Sequence, residues 1–359
     1  MNKLDALVLR SCDMLIDYSK PDMIRKLKNV AKRLLGRSVA GRNYISWPTG
    51  LCALGLIEFI KNHPEDENAQ KAEEALLSYY DRWIEKGSKI GRVEDVLAGY
   101  VLLELMEYRK EYSDRYSDAA EGFTDFLKNA RTDKNGTYVY NPLQEEDLVL
   151  ADMLGMVCPY LCAAKGYEGS TDKAVEQIKT FIDNAYDVKS GLLYHGYINS
   201  DGLIGKTGII GWGRTMGWTL LGVSLTLTLM DRRHPCYDIV KEYLARFILS
   251  TARFIRDDGL FSWQLTKEGP EDTSGSAMIA YSLQKALSEG MITPADDHIY
   301  DCAREIVQKV RDALSEHITG DGEVTEALAE CQGPGIHPQI YGSYPWSVGP
   351  TLALLSISR

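Results

Sequence analysis

The feature that most constrains this chain is a segment that recurs six times, in which a turn carrying a glycine leads into an apolar run. The copies are Trp47–Gly50 followed by LCALGLIEFI, Glu94–Gly99 followed by YVLLELMEY, and Asp152–Gly155 followed by MVCPYLCAA. The others are Arg214–Gly217 followed by WTLLGVSLTL, Thr273–Ser276 followed by AMIAYSL, and Trp346–Gly349 followed by PTLALLSIS. Successive copies lie roughly 50 to 75 residues apart, a period that marks a repeat architecture. Between them, apolar residues recur at three and four positions in Leu4–Tyr18, Met23–Leu35, Ala69–Ile84, Phe123–Leu127 and Ala174–Ile182, as in amphipathic helices with one wet face. A nearly all-apolar helix must be buried on every side, and an amphipathic one can cover it. Six of each in alternation predict an all-α fold, an (α/α)6 toroid with the apolar set as the inner ring. An open α-solenoid is the competing arrangement, but its repeats are shorter and its concave helices wetter.

Two short extended stretches, Gly191–Ile198 and Gly259–Leu265, are bounded by turn residues and fall just before inner helices. No linker or low-complexity run divides the chain, so residues 1–359 are expected to form one barrel domain. The N-terminus reads as a charged amphipathic helix without the features of a signal peptide, and no uninterrupted apolar run is long enough to span a bilayer. A cytoplasmic protein without membrane association is the expectation. The seven cysteines are odd in number and scattered, which fits reduced thiols better than a disulfide framework. Cys158 and Cys162 stand four apart, yet no second Cys or His pair completes a metal-ligand pattern, so no metal or other cofactor is expected. A formal charge of -11 argues against nucleic acid as a partner.

In a closed ring the turns before the inner helices gather at one rim. That rim would hold Trp47, Asp95, Asp152, Arg214, Thr273 and Trp346, with Tyr44 just ahead of the first copy. Asp152 lies in an otherwise apolar run, EEDLVLADMLG over Glu145–Gly155, where a carboxylate costs free energy unless it is paired, solvated or used. Helix capping and catalysis are both open to it, and its flank makes desolvation the expected dominant influence on its proton. Asp95 heads the preceding copy, as a first-turn residue favoured by the helix dipole or as a partner carboxylate. Trp212, Arg214 and Trp218 form the densest cluster. An indole is a platform for a sugar ring, and an arginine beside it can hold a carboxylate in two prongs. A core tryptophan with an arginine tied to a structural acid is the alternative, favoured for Trp218. His195, in LYHGY, could donate to a substrate oxygen or be a structural hydrogen-bonding residue. Trp263, Ser274 and Ser276 lie near the fifth inner helix, where the serines could simply pack. With no nucleophile elbow or phosphate-binding glycine loop, carboxylate chemistry in an aromatic cavity points to an oligosaccharide substrate.

The ordered motifs EDVLAGYVLLELMEY, LADMLGM, LYHGY, GWGRTMGW, GLFSWQ, DTSGSAMIAYSL and VGPTLALLS resemble the unsaturated uronyl hydrolases of glycoside hydrolase families 88 and 105, particularly the unsaturated rhamnogalacturonyl hydrolases. The resemblance covers most of the chain and implies a six-hairpin (α/α)6 barrel that removes Δ4,5-unsaturated uronic acids from the ends of lyase-generated oligosaccharides. It implies that Asp152 protonates the vinyl ether at C4 and assists water at C5, without a metal or a glycosyl-enzyme intermediate. Asp95 would orient substrate or water, and His195, Trp212, Arg214, Trp47, Tyr44, Trp263 and Trp346 would line the substrate site. The sequence departs from the family pattern at Asn141 and Pro142, where members often carry a His-Lys pair, and at Leu150, where they carry a tryptophan. The segment Gly333–Ser347, with His337, Tyr341, Tyr344 and Trp346, is longer and more aromatic than the usual glycine turn. Both departures bear on the substrate more than on the chemistry. Another (α/α)6 carbohydrate enzyme, either an inverting hydrolase of saturated glycans or a sugar epimerase, and a noncatalytic carbohydrate-binding scaffold are the alternatives.

Overall fold

Apolar helices that cannot tolerate water on any face set the architecture. A computed structural model of the protein describes residues 2–19, 44–141 and 146–358. The expected helix at Met23–Leu35, together with Pro142 and Glu145, lies outside them. The described residues hold twelve α-helices. The inner ones are α2 (Trp47–Asn62), α4 (Val96–Tyr108), α6 (Asp152–Ala163), α8 (Gly213–Leu229), α10 (Thr273–Ser288) and α12 (Pro345–Ser356). α2 is buried continuously from Trp47 to Ile60, as a helix without a polar face must be. The outer helices are α1 (Lys3–Ser19), α3 (Glu67–Glu85), α5 (Ser113–Asn129), α7 (Ser170–Ala185), α9 (Tyr237–Ala252) and α11 (His298–His317). These bury one stripe and leave the other face wet. In α3 the stripe is Ala69, Ala72, Leu76, Tyr79, Tyr80 and Trp83.

Each inner helix packs on the next, and α12 packs on α2, so the ring is closed as an (α/α)6 toroid. Glycines set the approach of neighbours: a Cβ on Gly55 would come within 2.5 Å of Gly349 O, and one on Gly222 within 2.4 Å of the Leu154 carbonyl. At the far end of the barrel Lys285 on α10 reaches across to Glu58 on α2, with Nζ 3.1 Å from Oε1 and both side chains buried. Glu289 lies on its other side at 3.2 Å. Burial alone would pull the Lys285 pKa down, but Glu58 and then Glu289 outweigh it and hold it above the ordinary lysine value.

Strands occupy the loops at the rim. β1 (Asp147–Leu150), β2 (Gly196–Ser200) and β3 (Leu203–Thr207) form an antiparallel sheet in that order. β4 (Ala327–Leu328) pairs with β5 (Tyr341–Gly342) before α12. The expected extended stretch at Gly191–Ile198 contributes the start of β2. That at Gly259–Leu265 is tied instead by isolated bridges, Gln264 to Trp212 and Ser262 to Glu271. No helix among the described residues is long and apolar enough to cross a membrane.

Candidate active site

Asp152 owes its surroundings to a strand. β1 runs straight into α6, with Leu150 opposite Gly196 and the Ala151 N–H donating to His195 O at 2.9 Å. A side chain at Gly196 would come within 2.2 Å of Val149 O, so glycine permits this register. The pairing sets His195 beside the first turn of α6, where its Nε2 lies 3.0 Å from Asp152 Oδ2. Asp152 is therefore not the cap of its own helix, whose cap position is held by Ala151. The Asp152 side chain is 11% exposed and the imidazole not at all. Such a pair can exchange one proton between carboxyl and ring without involving bulk water.

An aromatic wall stands over this pair. The Trp212 ring meets His195 edge-on with centroids 4.6 Å apart. His337 comes down from the β4–β5 connection, 4.6 Å from Trp212, 5.6 Å from Trp263 and 6.1 Å from His195. Trp263 is held there because Gly213 N–H donates to its carbonyl at 2.7 Å, which ties the expected extended stretch to the start of α8. Burial first, then the charges of His195 and Arg214, push the His337 pKa down to about 4. Cys331, on the same connection, has its thiol pushed up to about 11 by burial and by Asp152.

Arg214 is placed differently from a carboxylate clamp. It is 1% exposed, and its Nη1 donates to Ser274 Oγ at 3.0 Å and Leu328 O at 2.7 Å. Nη2 donates to Ala329 O at 2.7 Å, and Asp272 Oδ2 lies 3.8 Å from Nη1. Asp272 in turn accepts from the Ser274 hydroxyl and from Leu328 N–H. The guanidinium thus fastens β4 to α10, while its face lies 4.6 Å from Trp212 and 5.7 Å from Trp346. Ser276 also bonds rather than simply packs, accepting from Phe261 N–H and donating to Asp272 O.

The remaining rim residues form a second group. Trp346 donates to Leu328 O at 2.9 Å and lies 4.9 Å from Trp47, which meets the core residue Trp218 edge-on. Tyr344 stacks on Trp346 at 4.5 Å. Tyr44 stacks on Tyr79 at 5.7 Å, under Lys86. Asp95 is buried in the turn Val93–Asp95, where its Oδ2 accepts from Gly91 N–H at 2.8 Å and Arg92 N–H at 3.1 Å. Its neighbour Glu94 accepts a hydrogen bond from Tyr140 Oη at 2.8 Å. Burial, then Glu94 and Asp152, drive the Tyr140 phenol well above its ordinary pKa. Sequence reasoning missed Glu94, Tyr140 and Cys331. Glu94 shares the EDVLAG motif with Asp95, and that adjacency was its only signal. Two clefts, of about 580 and 590 Å³, lie toward the opposite end of the barrel, and none of these rim residues lines them.

The family model for Glycosyl Hydrolase Family 88 matches residues 20–356. Among solved structures, a possible member of family 105 from Salmonella enterica serovar Paratyphi A superposes with a TM-score of 0.81 at 17% identity, covering 99% of this chain and 94% of that one. A family 105 glycoside hydrolase from C. acetobutylicum gives 0.72 at 19% identity, covering 87% and 92%. An unsaturated glucuronyl hydrolase from a Bacillus species gives 0.71 at 15% identity, covering 90% and 89%.

Proposed function

The chain belongs to glycosyl hydrolase family 88, and on that premise we propose that it removes a Δ4,5-unsaturated uronic acid from the non-reducing end of an oligosaccharide by hydrating the C4=C5 bond. The observation that carries this is the buried pair of Asp152 and His195, 3.0 Å apart, under Trp212. Hydration of a vinyl ether needs one group that gives a proton to carbon and then takes one from water. Asp152 delivers its proton to C4, and the charge that develops at C5 is shared with the ring oxygen. Water adds at C5 and returns a proton to the Asp152 carboxylate. The hemiketal opens to a ketone, and the hemiacetal left at C1 collapses to release the hydroxyl of the next sugar, with one water consumed.

His195 holds the Asp152 carboxylate in place, and the partly exposed Trp263 gives the sugar an apolar face, while Trp212 is fully buried beside His195. Asp95, its Oδ2 fixed by two amides, serves as a rigid carboxylate orienting substrate or water rather than as the proton donor. The Bacillus protein with this fold is an unsaturated glucuronyl hydrolase, which supports the choice of substrate class. In the test, purified protein consumes the ultraviolet absorbance of the C4=C5 bond in disaccharides made by lyases from pectin, rhamnogalacturonan and glycosaminoglycans. Asp152→Asn stays folded and loses at least about 100-fold in rate, the range expected when a general acid is removed. Absence of any absorbance loss across the panel would refute the proposal.

A further inference from the structure

We propose that His337 is a sugar-contacting, specificity-determining residue of this protein, so that the β4–β5 connection helps decide which glycan is accepted. This rests on the carbohydrate site described above and adds a residue outside the recurring rim turns. His337 brings both ring nitrogens into the interior, and neither has a hydrogen-bond partner among the described residues. No other described histidine is in that position. His63 bonds Ser356 O, and His234 bonds Asp172 and Cys236. His195 Nδ1 and Trp212 Nε1 are buried without a partner in the same cluster. Four unmet ring nitrogens in one place are costly for a folded chain, because each forfeits its bond to water. None of the four is open to solvent, so a ligand rich in hydroxyl groups, admitted by a shift of the β4–β5 connection, would satisfy them together.

The chemistry selects the kind of group. With its pKa held near 4, His337 is neutral at ordinary pH and offers one donor and one acceptor. A hydroxyl, itself donor and acceptor, complements that pair better than a carboxylate, which needs donors only. The connection is also built to hold the ring in place. Gly333 and Gly335 take positive φ, Ile336 N–H donates to Gly333 O at 3.0 Å, and Gln332 N–H donates to Ile336 O at 2.9 Å. Its base is the β4–β5 pair, extended by Ala329 N–H to Ile340 O at 2.8 Å. Pro334 lies against Gly208, which in turn sits against His195.

The test measures KM and kcat for wild type, His337→Ala and His337→Gln on the unsaturated disaccharide panel. Affinities of the same panel and of saturated counterparts for Asp152→Asn, with and without His337→Ala, are measured by calorimetry. His337→Ala is expected to raise KM, or weaken binding, about 10- to 100-fold with little change in kcat, as for loss of a buried hydrogen bond, and His337→Gln to recover part of it. On a substrate lacking the contacted hydroxyl, His337→Ala should have no further effect, which a merely structural role would not produce. Val188→Ser, at an exposed position outside this cluster, serves as the control and should leave both constants unchanged, and thermal melts show that each His337 variant is folded. An unchanged KM with turnover intact overturns the role of His337 and leaves the proposed activity standing. A KM that falls overturns it too, by showing that the ring occupies the place of the sugar. Glycan binding that depends on His337, without turnover of any unsaturated substrate, upholds this inference and refutes the activity; no binding at all refutes both.

Discussion

Gly222→Ala is expected to damage a site that lies well removed from it along the chain. A Cβ at Gly222 would stand 2.4 Å from the carbonyl carbon and oxygen of Leu154 and 2.9 Å from Gly155 N. The shorter contacts fall about 1 Å inside ordinary van der Waals separation. Those atoms are backbone of α6, so no side chain can turn away, and α6 or α8 has to move. Leu154 is two residues from Asp152 in the same helix, and the Asp152–His195 bond of 3.0 Å has little slack. Overpacking of this kind costs about 1–3 kcal/mol, and a chain of this size should lose roughly 1 to 4 °C in Tm. A displacement approaching 1 Å at the reacting groups would lower turnover of an unsaturated disaccharide up to about 100-fold. Gly122→Ala is the matched control, because its added methyl meets only Ile90 Cδ1 at 3.7 Å on the outer helix α5. That variant should gain about 0.5–1 kcal/mol from helix propensity. Paired thermal melts and rate measurements decide the matter. A Gly222→Ala protein that melts with wild type and keeps its rate would refute the idea that glycine contacts between inner helices position Asp152.

Two further predictions concern the buried charges. Lys285→Met leaves Glu58 buried without its main partner and should cost about 3–5 kcal/mol, whereas Lys285→Met combined with Glu58→Leu should recover most of the loss in denaturant melts. Because the folded-state pKa of Lys285 lies above its unfolded value, the pair's contribution is complete below the ordinary lysine pKa of about 10.4 and is lost only as pH rises through the higher folded value. Wild type should therefore lose none of this contribution between pH 6 and about 9, and lose it only in stronger alkali. Arg214→Lys should cost about 1.5–3 kcal/mol, since one ammonium cannot serve Leu328 O and Ala329 O together and also lie on Trp212. Hydrogen exchange should then quicken at Leu328 and Ala329 before it does in α10.

The ring was legible because its cause is local: Gly155 followed by an apolar turn declares a helix that must be buried, and the pattern repeats. Outer helices were legible where the apolar stripe is dense, as in Ala69–Ile84, which forms the body of Glu67–Glu85. Phe123–Leu127 marked only the end of α5, because its first turns are polar. The helices Tyr237–Ala252 and His298–His317 were not delimited individually. β1 could not be seen, since Asp147–Leu150 is a short apolar run continuous with a helix, and its partner Gly196–Ser200 comes some 50 residues later. Arg214 shows the same limit. Beside two tryptophans it has the look of a ligand clamp, while the carbonyls it serves lie 114 and 115 residues onward. His337 sits in a glycine- and proline-rich stretch without period, so its place over Trp212 depends wholly on tertiary structure.

The contact of α12 with α2 carries a consequence for how the molecule comes to exist. Cys52 donates to Pro345 O, and His63 meets Ser356 O, across 293 residues in each case. Closing so long a loop is thermodynamically cheap, because its entropy cost grows only with the logarithm of its length. In time it is expensive, since contacts of such high order form late. Until α12 arrives, the curved row of preceding helices ends in two uncovered apolar flanks, one of them lined by Leu51 and Gly55. A chain in which α12 has not yet docked is therefore an open arc whose ends can find the ends of another copy. The same joint that completes the ring is the step at which the chain is most exposed to misassembly.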